Sequence, residues 1–180
     1  MKRITFIFLI SVLLTSCSSV VFKNQQPKDA RNLSSFPLEM QGMYTDGDKD
    51  TLIVRADGFY MQSMSDSKTE REFNLLSDSL VLRKGKKGYF LNMRDEIHWH
   101  VIHTRMDGKN LIIAMVDPEK PETNSKLANI TSVQVISEEN SSKPDYLIDP
   151  SVEEFEEMIN AELFTKLGTF IRIKVFPDDK

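Results

Sequence analysis

From Leu38 to Val116 apolar and polar residues alternate in short runs, broken by Asp-Gly pairs. Alternation with a period of two marks half-buried strands rather than helices. It predicts strands near residues 40–45, 50–56, 58–63, 79–84, 88–94, 97–105 and 110–116, and another over Ile130 to Ile136. Asp46-Gly47, Asp57-Gly58 and Asp107-Gly108 lie between candidate strands. Such dipeptides accept the positive φ that tight hairpin turns require. Two stretches repeat: Asp50-Thr-Leu-Ile-Val-Arg55 and Asp78-Ser-Leu-Val-Leu-Arg83 each run into a turn, a glycine and an aromatic residue. Leu111-Ile-Ile-Ala114 begins a weaker third copy. A lone hairpin is marginal in water, so these units must stack or join one sheet.

The pattern changes towards the end. Asp149-Pro150-Ser151 precedes a stretch with Val152, Phe155, Ile159 and Leu163 on one helical face. Ser151 with Glu154 fits a capping box, the early acids suit a helix N-terminus, and Gly168 suits its stop. Thr169 to Phe176 reads as a closing strand. The expected fold class is mainly β (α+β): an antiparallel hairpin meander, a sandwich or a partly closed barrel, with one C-terminal helix and a closing strand.

The N-terminus follows neither pattern. Lys2 and Arg3 precede a mostly apolar run from Ile4 to Leu14, the layout of a secretory signal. The run is too short for a bilayer core of about 30 Å, which needs about 20 residues. Leu14-Thr15-Ser16-Cys17 then resembles the lipobox of bacterial lipoproteins. That resemblance implies cleavage before Cys17 and lipid on its thiol. The chain accordingly divides into a signal peptide 1–16, a flexible tether 17–36 and a single β-rich domain 37–180. The tether is expected because the segment is polar after Phe22 and lacks periodicity. Fully extended, it would reach at most about 60 Å.

Composition narrows the classes. The chain has 180 residues, 40% of them hydrophobic and 28% charged, with 7 Gly and 7 Pro. These values exclude collagen and low-complexity disorder. A net charge of −4 argues against nucleic acid as a partner. Cys17 is the only cysteine, so no intramolecular disulfide forms.

Candidate chemistry is sparse. His98 and His100 share one face of a predicted strand, which is usable zinc geometry with Asp95 as an extra ligand. His103 falls on the other face. The alternation with Ile97, Trp99 and Val101 gives a plainer reading, in which His98 and His100 face solvent. Asp46, Asp48, Asp50 and Asp57 suggest a calcium loop, but Thr51 stands where such a loop needs Gly, and a solvated hairpin turn is the favoured reading. Arg83, Lys84, Lys86 and Lys87 form a basic turn that could meet lipid headgroups, anionic glycans or an acidic partner. Glu153, Glu154, Glu156 and Glu157 are read as solvated acids at a helix start rather than catalytic carboxylates. Trp99, Tyr89, Phe90, Phe59, Tyr60 and Tyr44 are enough aromatics to line a pocket or fill a core. Nucleophile-elbow, phosphate-loop and zinc-protease motifs are absent from the sequence.

The stretches Phe36–Tyr44, Asp50–Val54, Leu76–Leu82 and Gly88–Asn92, with Trp99, resemble small uncharacterised β-rich lipoproteins of Bacteroidetes-type bacteria. That resemblance implies a lipid anchor but carries no activity. In such bacteria Asp-Ser/Thr-aliphatic triplets can be O-glycosylated, which would mark Thr51 and Ser79. Ser18 after the cysteine, by resemblance to the enteric sorting rule, implies the outer membrane. The lack of acids before Asp29 leans to its periplasmic face.

The leading expectation is a lipid-anchored envelope binding or accessory module without catalysis and without a cofactor. It would meet the membrane through Cys17 and an envelope protein as partner. The alternatives are an envelope hydrolase or metal-dependent enzyme using His98, His100 and Asp95, and a carrier of a small apolar ligand.

Overall fold

The computed structural model describes residues 18–47, 50–62, 74–136 and 143–176. The signal peptide, the Leu14–Cys17 lipobox and Asp48 lie outside the described residues.

Among the described residues thirteen strands join one sheet, ten of them along a curled half-barrel path. They are β1 Val20–Phe22, β2 Asn32–Leu33, β3 Gly42–Thr45, β4 Thr51–Val54, β5 Gly58–Gln62, β6 Asn74–Leu75 and β7 Leu80–Gly85. The rest are β8 Gly88–Asp95, β9 His98–Asp107, β10 Asn110–Val116, β11 Val133–Ile136, β12 Asp145–Ile148 and β13 Phe164–Lys174. Two helices, α1 Pro121–Ile130 and α2 Val152–Asn160, complete the described structure with one 3₁₀ turn at Leu38–Met40. The hairpins β3–β4, β4–β5 and β9–β10 close at the three Asp-Gly turns. Both copies of the internal repeat form hairpins, β4–β5 and β7–β8.

Strands β7 and β8, with the start of β9, support a different core on each face. Even residues of β7 (Leu80, Leu82) and odd residues of β8 (Tyr89, Leu91) enter the half-barrel, where they meet Phe36, Met40, Tyr44, Leu52, Val54, Leu111 and Phe170. Val81, Phe90, Trp99 and Val101 point the other way, into a second core capped by the helices through Leu127, Phe155 and Met158. Neighbouring residues of one strand thus alternate between two apolar environments.

The segment expected as a flexible tether is instead built into the sheet. Val20, Val21 and Phe22 are buried. β1 pairs in parallel with β12 and meets β9 at Phe22 and Trp99. Asp145 Oδ1 accepts hydrogen bonds from the Ser19 amide (2.7 Å) and hydroxyl (2.8 Å). The reason is composition on a small scale. Three adjacent apolar residues suffice for a short strand when a partner strand waits on each side, although they carry no periodicity of their own.

The C-terminal helix is shorter than its sequence pattern predicts. α2 begins at the expected capping box, with the Ser151 hydroxyl accepting from the Glu154 amide at 3.2 Å. It ends at Asn160 rather than near Gly168. Glu162, at φ 56°, takes the left-handed position expected of a glycine. Phe164 and Thr165 then open β13, whose ladder runs from Phe164–Val116 to Ile171–Asn110. Continuous pairing with β10 outweighs the local helical stripe. Gly168 lies inside this strand, beside a register shift opposite Ile113 and Ala114. α1 is the second difference, because one helix is expected from the sequence. It starts with Pro121 at its first turn and lacks a side-chain N-cap, so it carries few of the signals that betray a helix.

Candidate functional site

α2 lies across the sheet and buries Phe155 and Met158 completely. Beyond its C-terminal end the same sheet face continues uncovered. There β9 contributes His103 and Arg105, β10 contributes Ile112 and Ala114, and β13 contributes Phe164, Thr165 and Lys166. Lys87, Lys120, Ile159 and Glu162 complete the walls of an open cleft of about 600 Å³.

His103 forms part of the floor. It is 9% exposed and stacks on Phe90 with ring centroids 4.8 Å apart, while Phe164 meets it edge-on at 5.7 Å. Its Nε2 lies 3.0 Å from the Lys87 carbonyl. A carbonyl only accepts, so Nε2 carries the proton of the neutral ring. Burial lowers the imidazole pKa below 6.5, the Lys87 hydrogen bond opposes this, and the charges of Arg105 and Lys87 add to the lowering. The ring is therefore neutral at pH 7. Gly88 allows this packing. It sits at φ +141°, and a Cβ there would come within 2.6 Å of the Thr104 carbonyl and 2.8 Å of His103 Nε2.

The rim is cationic. Lys87, Arg105 and Lys166 are exposed, and among the described residues none of them forms an ion pair. Lys120 donates to the Thr165 hydroxyl at 3.3 Å. Glu162 is the one acid among the lining residues. On the flank of α2 a smaller hollow of about 390 Å³ shares Lys87 and Ile159 with the cleft. Its floor includes Pro27, Val152 and Phe155, and Lys84 and Lys86 stand at its edge.

The basic turn seen in the sequence thus separates by role. Lys87 lines both hollows. Lys86 is bound to Glu156 at 2.5 Å, and that hydrogen bond raises its pKa. Lys84 stands over the Tyr89 ring at 5.8 Å. Arg83 is not a free contact cation: its guanidinium donates to the carbonyls of Gln25 (3.1 Å) and Pro27 (2.9 Å), to Gln25 Oε1 (2.6 Å) and to Asn32 Oδ1 (2.9 Å). It clamps the N-terminal segment to β7.

The histidine strand divides as expected, with His103 on the face opposite His98 and His100. Those two are half-buried rather than solvent-facing, because Ile102 and Met106 on the same face pack against the half-barrel core. Ile97 is 71% exposed, since it lies in the β8–β9 turn beside Glu96 at φ 48°. His100 Nε2 is 3.6 Å from Asp95 Oδ2. Among the described residues no three His, Cys, Asp or Glu side chains converge as a metal ion would need, so His98, His100 and Asp95 do not form one cluster. At the aspartates weighed as a calcium loop, Asp46 Oδ1 accepts from the Asp50 amide at 3.2 Å, as in the hairpin turn that the sequence favours.

The other sequence candidates are dispersed. Tyr44, Tyr60, Tyr89, Phe90 and Trp99 are buried, and Phe59 packs against the half-barrel core. Ser79 is exposed in a tight turn, 3.1 Å from the Ser77 hydroxyl, and Thr51 is half-buried on β4. Glu154 accepts from the Ser151 amide (2.8 Å) and the Thr131 hydroxyl (3.1 Å), joining the start of α2 to the end of α1. Arg105, Lys120 and Lys166 escape a sequence reading because they are isolated cations on separate elements. Comparison with protein-family models, with curated proteins and with solved structures finds no match to this chain.

Proposed function

We propose that the chain is a non-catalytic binding module of the bacterial cell envelope, anchored through lipid on Cys17 at the periplasmic face of the outer membrane. The observation that carries this reading is the cleft beyond α2: unpaired cations on an apolar floor, in a sheet that begins at Val20, three residues after the lipobox cysteine. Concave apolar surfaces with a few convergent charges are where small ligands and partner side chains bind. Two or more acyl chains on Cys17 would hold the module stably.

Two measurements test it. Cys17→Ala should move the protein from the membrane to the soluble fraction. A photoreactive residue at Lys166 should crosslink one dominant envelope component in intact membranes. Turnover of an envelope polymer by the purified chain would overturn the non-catalytic reading. Stoichiometric zinc found by elemental analysis would reopen the metal-dependent alternative, which the separation of His98, His100 and Asp95 does not support.

A further inference from the structure

We infer that the cleft binds a phosphate-bearing amphiphile of net negative headgroup charge, with the phosphate among Lys87, Arg105 and Lys166 and the apolar part on Phe164, Ala114 and Ile159. This rests on the proposed binding role of the same cleft.

The cations reach the cleft from separate places in the chain: the β7–β8 turn, β9, and β13. Lys87, Arg105, Lys120 and Lys166 line the cleft against one carboxylate, Glu162, with which none of them forms an ion pair among the described residues, and this excess makes a local positive field on a chain whose net charge is −4. Repulsion among them is relieved by an anion. Arg105 supplies the planar fork that matches phosphate oxygens, and the lysines act as point charges beside it. His103 adds no charge because burial keeps it neutral, so its face and Phe164 present an apolar floor beneath the rim. A purely ionic ligand would leave that floor wet. A purely apolar one would leave the cations uncompensated. The hollow beside α2 continues the apolar surface past Ile159 to Phe155 and Val152, giving a chain somewhere to lie.

The strand arrangement favours a membrane source. β1 runs antiparallel to β9 with Phe22 opposite Trp99. The chain therefore enters β1 from the direction in which His103 and Arg105 follow along β9, and it does so beside β10, whose Ala114 pairs with His103. Lipid on Cys17 would bring that end of the domain to the headgroup layer.

The test uses the purified full chain in a non-ionic glucoside detergent, with binding read by calorimetry. The probes are dioctanoyl phosphatidylglycerol, dioctanoyl phosphatidylcholine and inorganic phosphate. The phosphatidylglycerol should bind about tenfold or more tightly than the phosphatidylcholine, because both carry the phosphate but only the latter brings a choline cation that Lys87, Arg105 and Lys166 repel. Arg105→Glu and Lys166→Glu should each lose about tenfold, whereas Lys109→Glu, an exposed cation outside the cleft, should not. Unchanged melting temperatures would show that the variants fold. Inorganic phosphate binding as tightly as the anionic lipid would overturn the amphiphile and leave a soluble phosphate site. Equal binding of both lipids, or binding insensitive to the charge reversals, would overturn the site altogether. The intact mass of Cys17-containing protein separates the two proposals. Unmodified Cys17 with selective lipid binding sinks the anchor alone, and lipidated Cys17 without it sinks the cleft alone.

Discussion

Asn92 shows how one side chain can decide where a segment goes. It is fully buried on β8, and its Oδ1 accepts from the Gln26 amide at 2.6 Å. Its Nδ2 donates to the carbonyls of Gln26 (2.9 Å) and Phe90 (3.1 Å). A buried amide and carbonyl on the N-terminal segment thus find partners in this residue's side chain. Asn92→Leu should orphan both and destabilise the protein by about 3 kcal/mol, read by urea unfolding. A cost under about 1 kcal/mol would mean that the segment is not held this way. His103 provides the second residue-scale prediction. Its folded pKa lies below its unfolded value of 6.5, so the unfolded chain binds more protons as pH falls. The stability contributed by the neutral ring is present above pH 6.5 and is lost as pH drops through the lowered folded pKa. The difference in unfolding free energy between wild type and His103→Gln should therefore shift against wild type below pH 6.5. A pH-independent difference would show that the ring titrates normally.

Among the elements, β1 carries the largest departure from the sequence reading. The pattern from Ser18 to Phe36 looks like a linker because it lacks periodicity. Yet Phe22 is 1% exposed and packs edge-on against Phe155 of α2 at 6.2 Å. Phe22→Ala should cost about 3–5 kcal/mol, the usual range for a buried aromatic; a true tether would lose nothing measurable. α2 is read more faithfully. Its capping box predicts the observed start, and Ser151→Ala should cost about 1 kcal/mol in thermal or denaturant unfolding. Its end was not legible. The apolar stripe continues through Leu163, which is buried but lies past the helix, so burial persisted while the backbone changed from helix towards strand. Side-chain pattern reports which residues are inside, and a short stretch of it fits either period.

For the whole molecule, the two cores on opposite faces of the sheet explain why His98 and His100 are half-buried: their face continues into the half-barrel core through Ile102 and Met106. They also set the position of the N-terminus. Because the described domain begins beside Ser19 and Asp145, a lipid on Cys17 would hold the domain close against the bilayer instead of at the end of a tether. A ten-residue Gly-Ser spacer inserted between Cys17 and Ser18 adds about 17 Å of root-mean-square reach. It should leave the melting temperature unchanged and reduce energy transfer from a dye at position 166 to a headgroup acceptor. Unaltered transfer would argue against close anchoring.

The hairpins, their Asp-Gly turns, the repeat and the capping box of α2 were determined locally, by residues a few positions apart. Chain chemistry at that range specifies φ and the period of burial, and a sequence displays both directly. Tertiary structure alone decided that Val20–Phe22 would be a strand, that α2 would stop at Asn160, and that Lys87, Arg105 and Lys166 would share one rim. Those outcomes depend on partners far along the chain: Ile148 for Phe22, Val116 for Phe164, and Ala114 for both His103 and Lys166. Pairing of that kind leaves no local periodicity, because its energy is gained only when distant strands meet.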